Sequence, residues 1–115
     1  MFDEQFFMYC EEIDWAWRIH RAGWDVYCVP AAHVTHLGGQ STSQIRPQSL
    51  INLWKSRLLL FDKYYPPLKR TLVRKMVVYG MRLKLRQLHQ IPGLNRENRN
   101  ELTKAYEKIL EMASP

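Results

Sequence analysis

Apolar positions along the chain recur with two periods. Leu50, Leu53, Trp54, Leu58 and Phe61 follow one another at three- and four-residue steps, which predicts an amphipathic helix from about Gln48 to the break at "YYPP". A second long helix is predicted from about Pro67 to His89. After the punctuation "IPGLN" comes a final helix, with Asn95 or Asn98 as its cap and Leu102, Tyr106, Ile109 and Leu110 as its apolar stripe. Near the start, "YCEEIDWAWRIHRA" predicts a shorter helix from Tyr9 to Ala22, closed by Gly23, the residue type that best tolerates a left-handed cap. "WDVYCVP", Trp24 to Pro30, is β-branched and aromatic and predicts a buried strand, with "HVTHL" as a second, shorter one. "GGQSTSQIRP", Gly38 to Pro47, has almost nothing to bury and reads as a loop. No internal repeat is visible.

Composition fits a single globular unit: 115 residues, 46% apolar, with four tryptophans for a core. No run of eighteen apolar residues suggests a membrane span, and "MFDEQ" is acidic where a secretion signal would be basic. Cys10 and Cys28 are too few for a disulfide framework, so a reducing, cytoplasmic compartment is expected. Charge changes the picture more. Residues 1–45 carry six acids against two bases, and residues 46–91 carry eleven bases against the single acid Asp62. The last part, 92–115, is balanced at four of each, so the chain implies two surfaces with different partners. The segment from Lys69 to Leu88 holds seven bases, no acid, and interleaved Leu, Val, Met and Tyr. That mixture suits the headgroup region of an anionic bilayer, or else a solvated face packed on the rest of the protein. No nucleic-acid recognition motif accompanies it.

Three carboxylates, Glu11, Glu12 and Asp14, open the first helix. On residue types alone they read as helix-end electrostatics, with Asp14 placed to pair with Arg18 one turn on. Trp15, Trp17, Trp24 and Tyr27 read as core at helical and strand spacing, and His20, His33 and His89 as packed imidazoles. One or two strands followed by three helices leave little sheet for the aromatic helix to cover, which is unbalanced for a complete enzyme, so something is expected to be missing upstream.

One stretch carries a resemblance. "FDEQFFMYCEEIDWAWRIHRAGWDVYCVPAAHVTHLGGQST", Phe2 to Thr42, is similar to the C-terminal part of the catalytic domain of family 2 inverting glycosyltransferases of the GT-A type, in their rhamnosyltransferase-like branch. The shared pattern is a "FDExFF" opening, an acidic pair on a helix, "R…AGW", a strand ending in proline, and a histidine before a Gly/Ser-rich loop. The resemblance implies an α/β fold, here the end of a Rossmann-like GT-A domain with one or two strands and about four helices. It divides the chain into an acceptor-side segment 1–46, a basic helical extension 47–92 and a terminal helix 93–115. The family's nucleotide-binding first half and its Asp-x-Asp motif do not occur in this sequence, so a C-terminal piece of a longer enzyme, inactive alone and prone to self-association, is expected.

What the resemblance implies chemically is transfer of a sugar from a nucleotide diphosphate donor to a glycan or lipid-linked acceptor. An inverting transfer needs a base to take the acceptor's hydroxyl proton, and Glu12 stands where the family has its aspartate. Glu11, Asp14 and Phe7 would bind or orient acceptor. His36 would touch either the donor diphosphate or the divalent cation, Mg²⁺ or Mn²⁺, that the intact enzyme holds and this piece is not expected to retain, and Arg46 would reach donor phosphate from a closing loop. The expected location is the cytoplasmic membrane face. The alternative class is a non-catalytic peripheral membrane or interaction module in which the basic helix is the function.

Overall fold

A computed structural model describes residues 1–35, 46–88 and 90–114, the side chain of Arg46 excepted. Four helices make up its regular structure: α1 (Glu11–Arg21), α2 (Arg46–Tyr64), α3 (Pro67–Leu88) and α4 (Arg96–Ala113). Each boundary has a local cause. Tyr9 and Cys10 adopt left-handed φ of 70° and 66°, so α1 starts only at Glu11. At its other end the Gly23 amide donates to the His20 carbonyl and the Trp24 amide to the Ile19 carbonyl, a Schellman closure that the φ of +84° at Gly23 permits. Pro66 and Pro67 stop α2 and start α3, proline being tolerated in a first turn whose N–H would be unsatisfied anyway. Of the two candidate caps for α4, Asn95 is the one used: its side chain accepts from the Asn98 amide at 2.8 Å.

The core lies where α2, α3 and α4 meet. Leu58 of α2, Val77 and Met81 of α3, and Ile109 and Ala113 of α4 are buried together, with Trp54, Phe61, Tyr106 and Leu110 packed around them. Ala105, Ile109 and Ala113, four apart, give α4 a narrow buried stripe that lets it lie closely against both neighbours. Arg74 of α3 ties two of these elements by charge, bonding Asp62 of α2 at 2.6 Å and the Met112 carbonyl of α4 at 2.8 Å. A second, smaller cluster joins the N-terminal segment to α2: Phe6 and Cys10 bury against Leu60, flanked by Tyr9, Leu59 and Tyr64.

The α/β expectation is overturned, because the described residues form no strand and no sheet. The segment 24–29 makes no ladder hydrogen bonds, and Trp24 and Tyr27 are 71% and 80% exposed where a buried strand would hide them. The physical reason is pairing. β-branched and aromatic residues favour a pleated, half-buried surface, but a strand exists only when a neighbour takes up its N–H and C=O groups, and none of the described residues does so. His33 to Thr35 of the shorter predicted strand are likewise irregular, and the rest of it, with residues 38–45 of the predicted loop and His89, lies outside the described residues, while Arg46 and Pro47, read as loop, open α2. Trp15 and Trp17, read as core, sit at the exposed edge, and His20 and His33 are exposed.

The bundle makes a graded prediction for stability. Ile109→Ala should cost about 2–5 kcal/mol, through lost burial plus the cavity left among three helices. Asn95→Ala removes one cap bond and should cost about 1 kcal/mol. Urea unfolding followed by circular dichroism checks the order, and a loss for Asn95→Ala equal to that for Ile109→Ala would contradict this placement of the core.

Candidate functional site

The acidic head of α1 faces two ways. Asp14 points inward and is completely buried, while Ile13 and Glu12 beside it are exposed. Three donors converge on the Asp14 carboxylate: Arg18 Nε at 2.8 Å on Oδ2, and on Oδ1 both Lys63 Nζ at 2.6 Å and the Tyr64 hydroxyl at 2.5 Å. The one-turn pair with Arg18 is the bond that helical spacing alone anticipates. The partners from α2 are not. Lys63 also binds Asp3 Oδ2 at 2.7 Å, and Arg18 donates through Nη2 to the Met1 carbonyl at 2.8 Å. The node therefore clamps the first residues, α1 and the end of α2 to one another.

Burial pushes the Asp14 carboxyl up, but hydrogen bonds from Lys63, Tyr64 and Arg18 outweigh it and hold the group at about 2, below its ordinary 3.8. The same bonds raise Lys63, chiefly through Asp14 and then Asp3. Tyr64 is raised by its burial and by its bond to the carboxylate. Asp14 is therefore ionised throughout the physiological range and has no open lone-pair direction toward solvent.

Glu12 differs in every respect. It is exposed and makes no hydrogen bond or ion pair with any described residue. Glu11 is intermediate: its Oε2 is buried and lacks a hydrogen-bond partner among the described residues. The chain reaches these two acids through the left-handed pair Tyr9 and Cys10, held from below where Ser56 Oγ donates to the Met8 carbonyl at 2.6 Å. Backbone held so far from its preferred region costs about 1–3 kcal/mol per residue and survives only where the surroundings fix it. The Cys10 thiol is raised above its ordinary value by burial and by the nearby Glu12 charge.

Phe7 stands out from this turn at 78% exposure, while its neighbour Phe6 is buried beneath Lys63. Phe2 packs edge-on against Trp15 with ring centroids 5.1 Å apart, and Trp17 meets Tyr64 in the same manner at 4.3 Å. Glu12, Phe7 and Trp15 are all exposed at this end of the chain. His36 and the side chain of Arg46 lie outside the described residues, as do Ser41, Thr42 and Ser43 of the proposed closing loop. Among the described residues no three His, Cys, Asp or Glu side chains gather as a cation site, so these residues alone do not fit the implied divalent metal.

Sequence reasoning missed Lys63 and Tyr64, which it placed in a basic extension. The opposite charges of the first 45 residues and the 46–91 segment were the available signal, since Lys63 is where those charges meet. No family model, characterised protein or solved structure matches the chain.

The depressed Asp14 carboxyl has a signed consequence. Its pKa is lower folded than unfolded, so its stabilisation is fully present above about pH 4 and is lost as pH falls through about 2. Two units correspond to about 2–3 kcal/mol. Urea unfolding of the wild type should weaken by about that amount between pH 5 and pH 2 in excess of Asp14→Asn, which should start weaker at pH 7 and lose less. Parallel pH profiles for the two proteins would show that Asp14 is not the group responsible.

Proposed function

We propose that this chain supplies the acceptor-side surface of an inverting glycosyltransferase, with Glu12 as the base that takes a proton from the acceptor hydroxyl. The observation that carries the reading is the division of labour among three adjacent acids. Asp14 is consumed by structure, Glu11 keeps one buried oxygen without a donor, and Glu12 is ionisable, open and unpaired among the described residues. A sugar is rich in hydroxyl donors, and one such hydroxyl would reach the exposed Glu12 carboxylate. Phe7, and Trp15 one turn along α1 from Glu11 and Glu12, offer exposed apolar rings, the usual complement to the C–H face of a sugar.

In this mechanism Glu12 accepts the hydroxyl proton as the oxygen attacks the donor's anomeric carbon, and the bond to the nucleotide diphosphate breaks on the opposite face. Asp14 acts as a positioning residue: by fixing α1 against α2 it fixes where the first turn of α1 places Glu11 and Glu12. Donor binding is assigned to protein outside these 115 residues. The resemblance over Phe2 to Thr42 supports the reaction class, and the exposed Glu12 carboxylate, without a partner among the described residues, supports the assignment within it.

The test uses the full-length gene product with its donor and acceptor. Glu12→Gln keeps shape and hydrogen bonding but removes the proton acceptor, so kcat should fall by about 10²–10⁴ with donor affinity nearly unchanged. Because Glu12 is exposed, folding stability should change by less than about 1 kcal/mol. A near-wild-type kcat would reduce Glu12 to helix electrostatics and end the assignment. Turnover of a nucleotide sugar by the 115-residue chain alone would overturn the placement of donor binding elsewhere.

A further inference from the structure

α3 has two apolar faces where a helix packed at the surface of a small bundle needs one. Val77, Met81 and Leu88 form its buried side. On the opposite side Leu68, Leu72, Met76 and Tyr79 follow at steps of four, four and three residues, which keeps them on one face, and they are 85%, 59%, 64% and 66% exposed. No described residue covers this stripe.

Its borders are cationic. Lys75 and Arg82 run along one edge and Lys69 along the other, with Arg86 continuing the line toward the C-terminal end, and α3 contains no acid. Arg70 and Arg74 are engaged by Asp62, whereas Lys75, Arg82, Lys84 and Arg86 make no ion pair with any described residue. Beside the stripe a groove of about 370 Å³ runs between α3 and the end of α4, with Lys75, Tyr79 and Arg82 among its walls. On the stripe's other side Met76 also borders a strongly apolar groove floored by Trp54, Phe61 and Met81 and rimmed by Arg57 and Lys84.

We infer that the outer face of α3 docks on the surface of an anionic lipid bilayer, with Leu68, Leu72, Met76 and Tyr79 immersed at the headgroup–acyl boundary and Lys75 and Arg82 on lipid phosphates. Charge complementarity selects an anionic partner. Shape selects a bilayer over an acidic protein, because a convex helix with cations on both edges needs no matching groove from a fluid interface. Lys and Arg stems lie along the apolar stripe while their heads reach outward to phosphate. No described helix is long and apolar enough to cross a membrane, so the contact is lateral. This surface does not depend on the role of Glu12.

The test is co-sedimentation of the 115-residue chain with large vesicles of phosphatidylcholine alone and with about 30% phosphatidylglycerol. The expected result is at least about tenfold stronger partition to the anionic vesicles, fading as salt rises from about 0.05 to about 0.5 M. Lys75→Glu/Arg82→Glu and Leu72→Ser/Met76→Ser should each reduce it by about tenfold or more, with helicity by circular dichroism unchanged. The wild-type comparison of the two lipid compositions stands whether or not a variant folds. Equal partition to both vesicles overturns the proposal. So does absence of partition, and if Leu72→Ser/Met76→Ser then converts a sedimenting dimer to monomer, a second copy of the chain is the occupant.

Discussion

The buried Asp14 carboxylate is the point on which the N-terminal third depends. The apolar contact between that part and the bundle is small, with Phe6, Cys10 and Leu60 its buried residues among those described. Such a patch does not by itself fix an orientation, and the hydrogen-bonded charge cluster does. Lys63 reaches Asp3 and Asp14 together, Arg18 reaches Asp14 and the Met1 carbonyl, and Tyr64 closes the remaining side. Burial of an unpaired carboxylate would be strongly unfavourable, so the cluster is stable only when complete, and its completion requires α1 and the end of α2 to be in one relative position. The left-handed Tyr9 and Cys10 follow from this. With Met8 held by Ser56 and α1 held by Lys63, the two intervening residues must turn sharply, and they take a strained conformation to do so.

The same clamp explains why the acids above it remain open. Turning Asp14 inward rotates Glu12 outward, since residues two apart on a helix face different directions. Glu11 is left between them with one oxygen out of water and no hydrogen-bond partner among the described residues. An all-helical arrangement also leaves Trp24, Val26, Tyr27 and Val29 without cover, and α3 with a second apolar face. Exposed apolar surface of this extent in a chain that is nearly half apolar signals contact with something else. For α3 the cationic borders are the basis of the proposed bilayer contact.

Of the candidate site, the acids were legible as acids and their roles were not. Spacing put Asp14 one turn before Arg18, and that bond is present. Spacing gave no means of telling which of Glu11, Glu12 and Asp14 would be buried, because the answer lies in Lys63 and Tyr64, some fifty residues away. The expectation that Trp15, Trp17, Trp24 and Tyr27 form core failed for a related reason: hydrophobicity states that a side chain favours burial, and only a partner surface grants it.

The sequence by itself determined the helices, because their signals are local. Periodic Leu and Trp in α2, the proline pair, Gly23 in its left-handed cap and Asn95 ahead of α4 each act within a turn or two of chain, and each is used as expected. The tertiary structure decided whether the β-branched segment after Gly23 became a strand and which face of each helix was buried. A strand needs another strand and a buried carboxylate needs distant donors. These are properties of pairs far apart in sequence, which no local pattern contains.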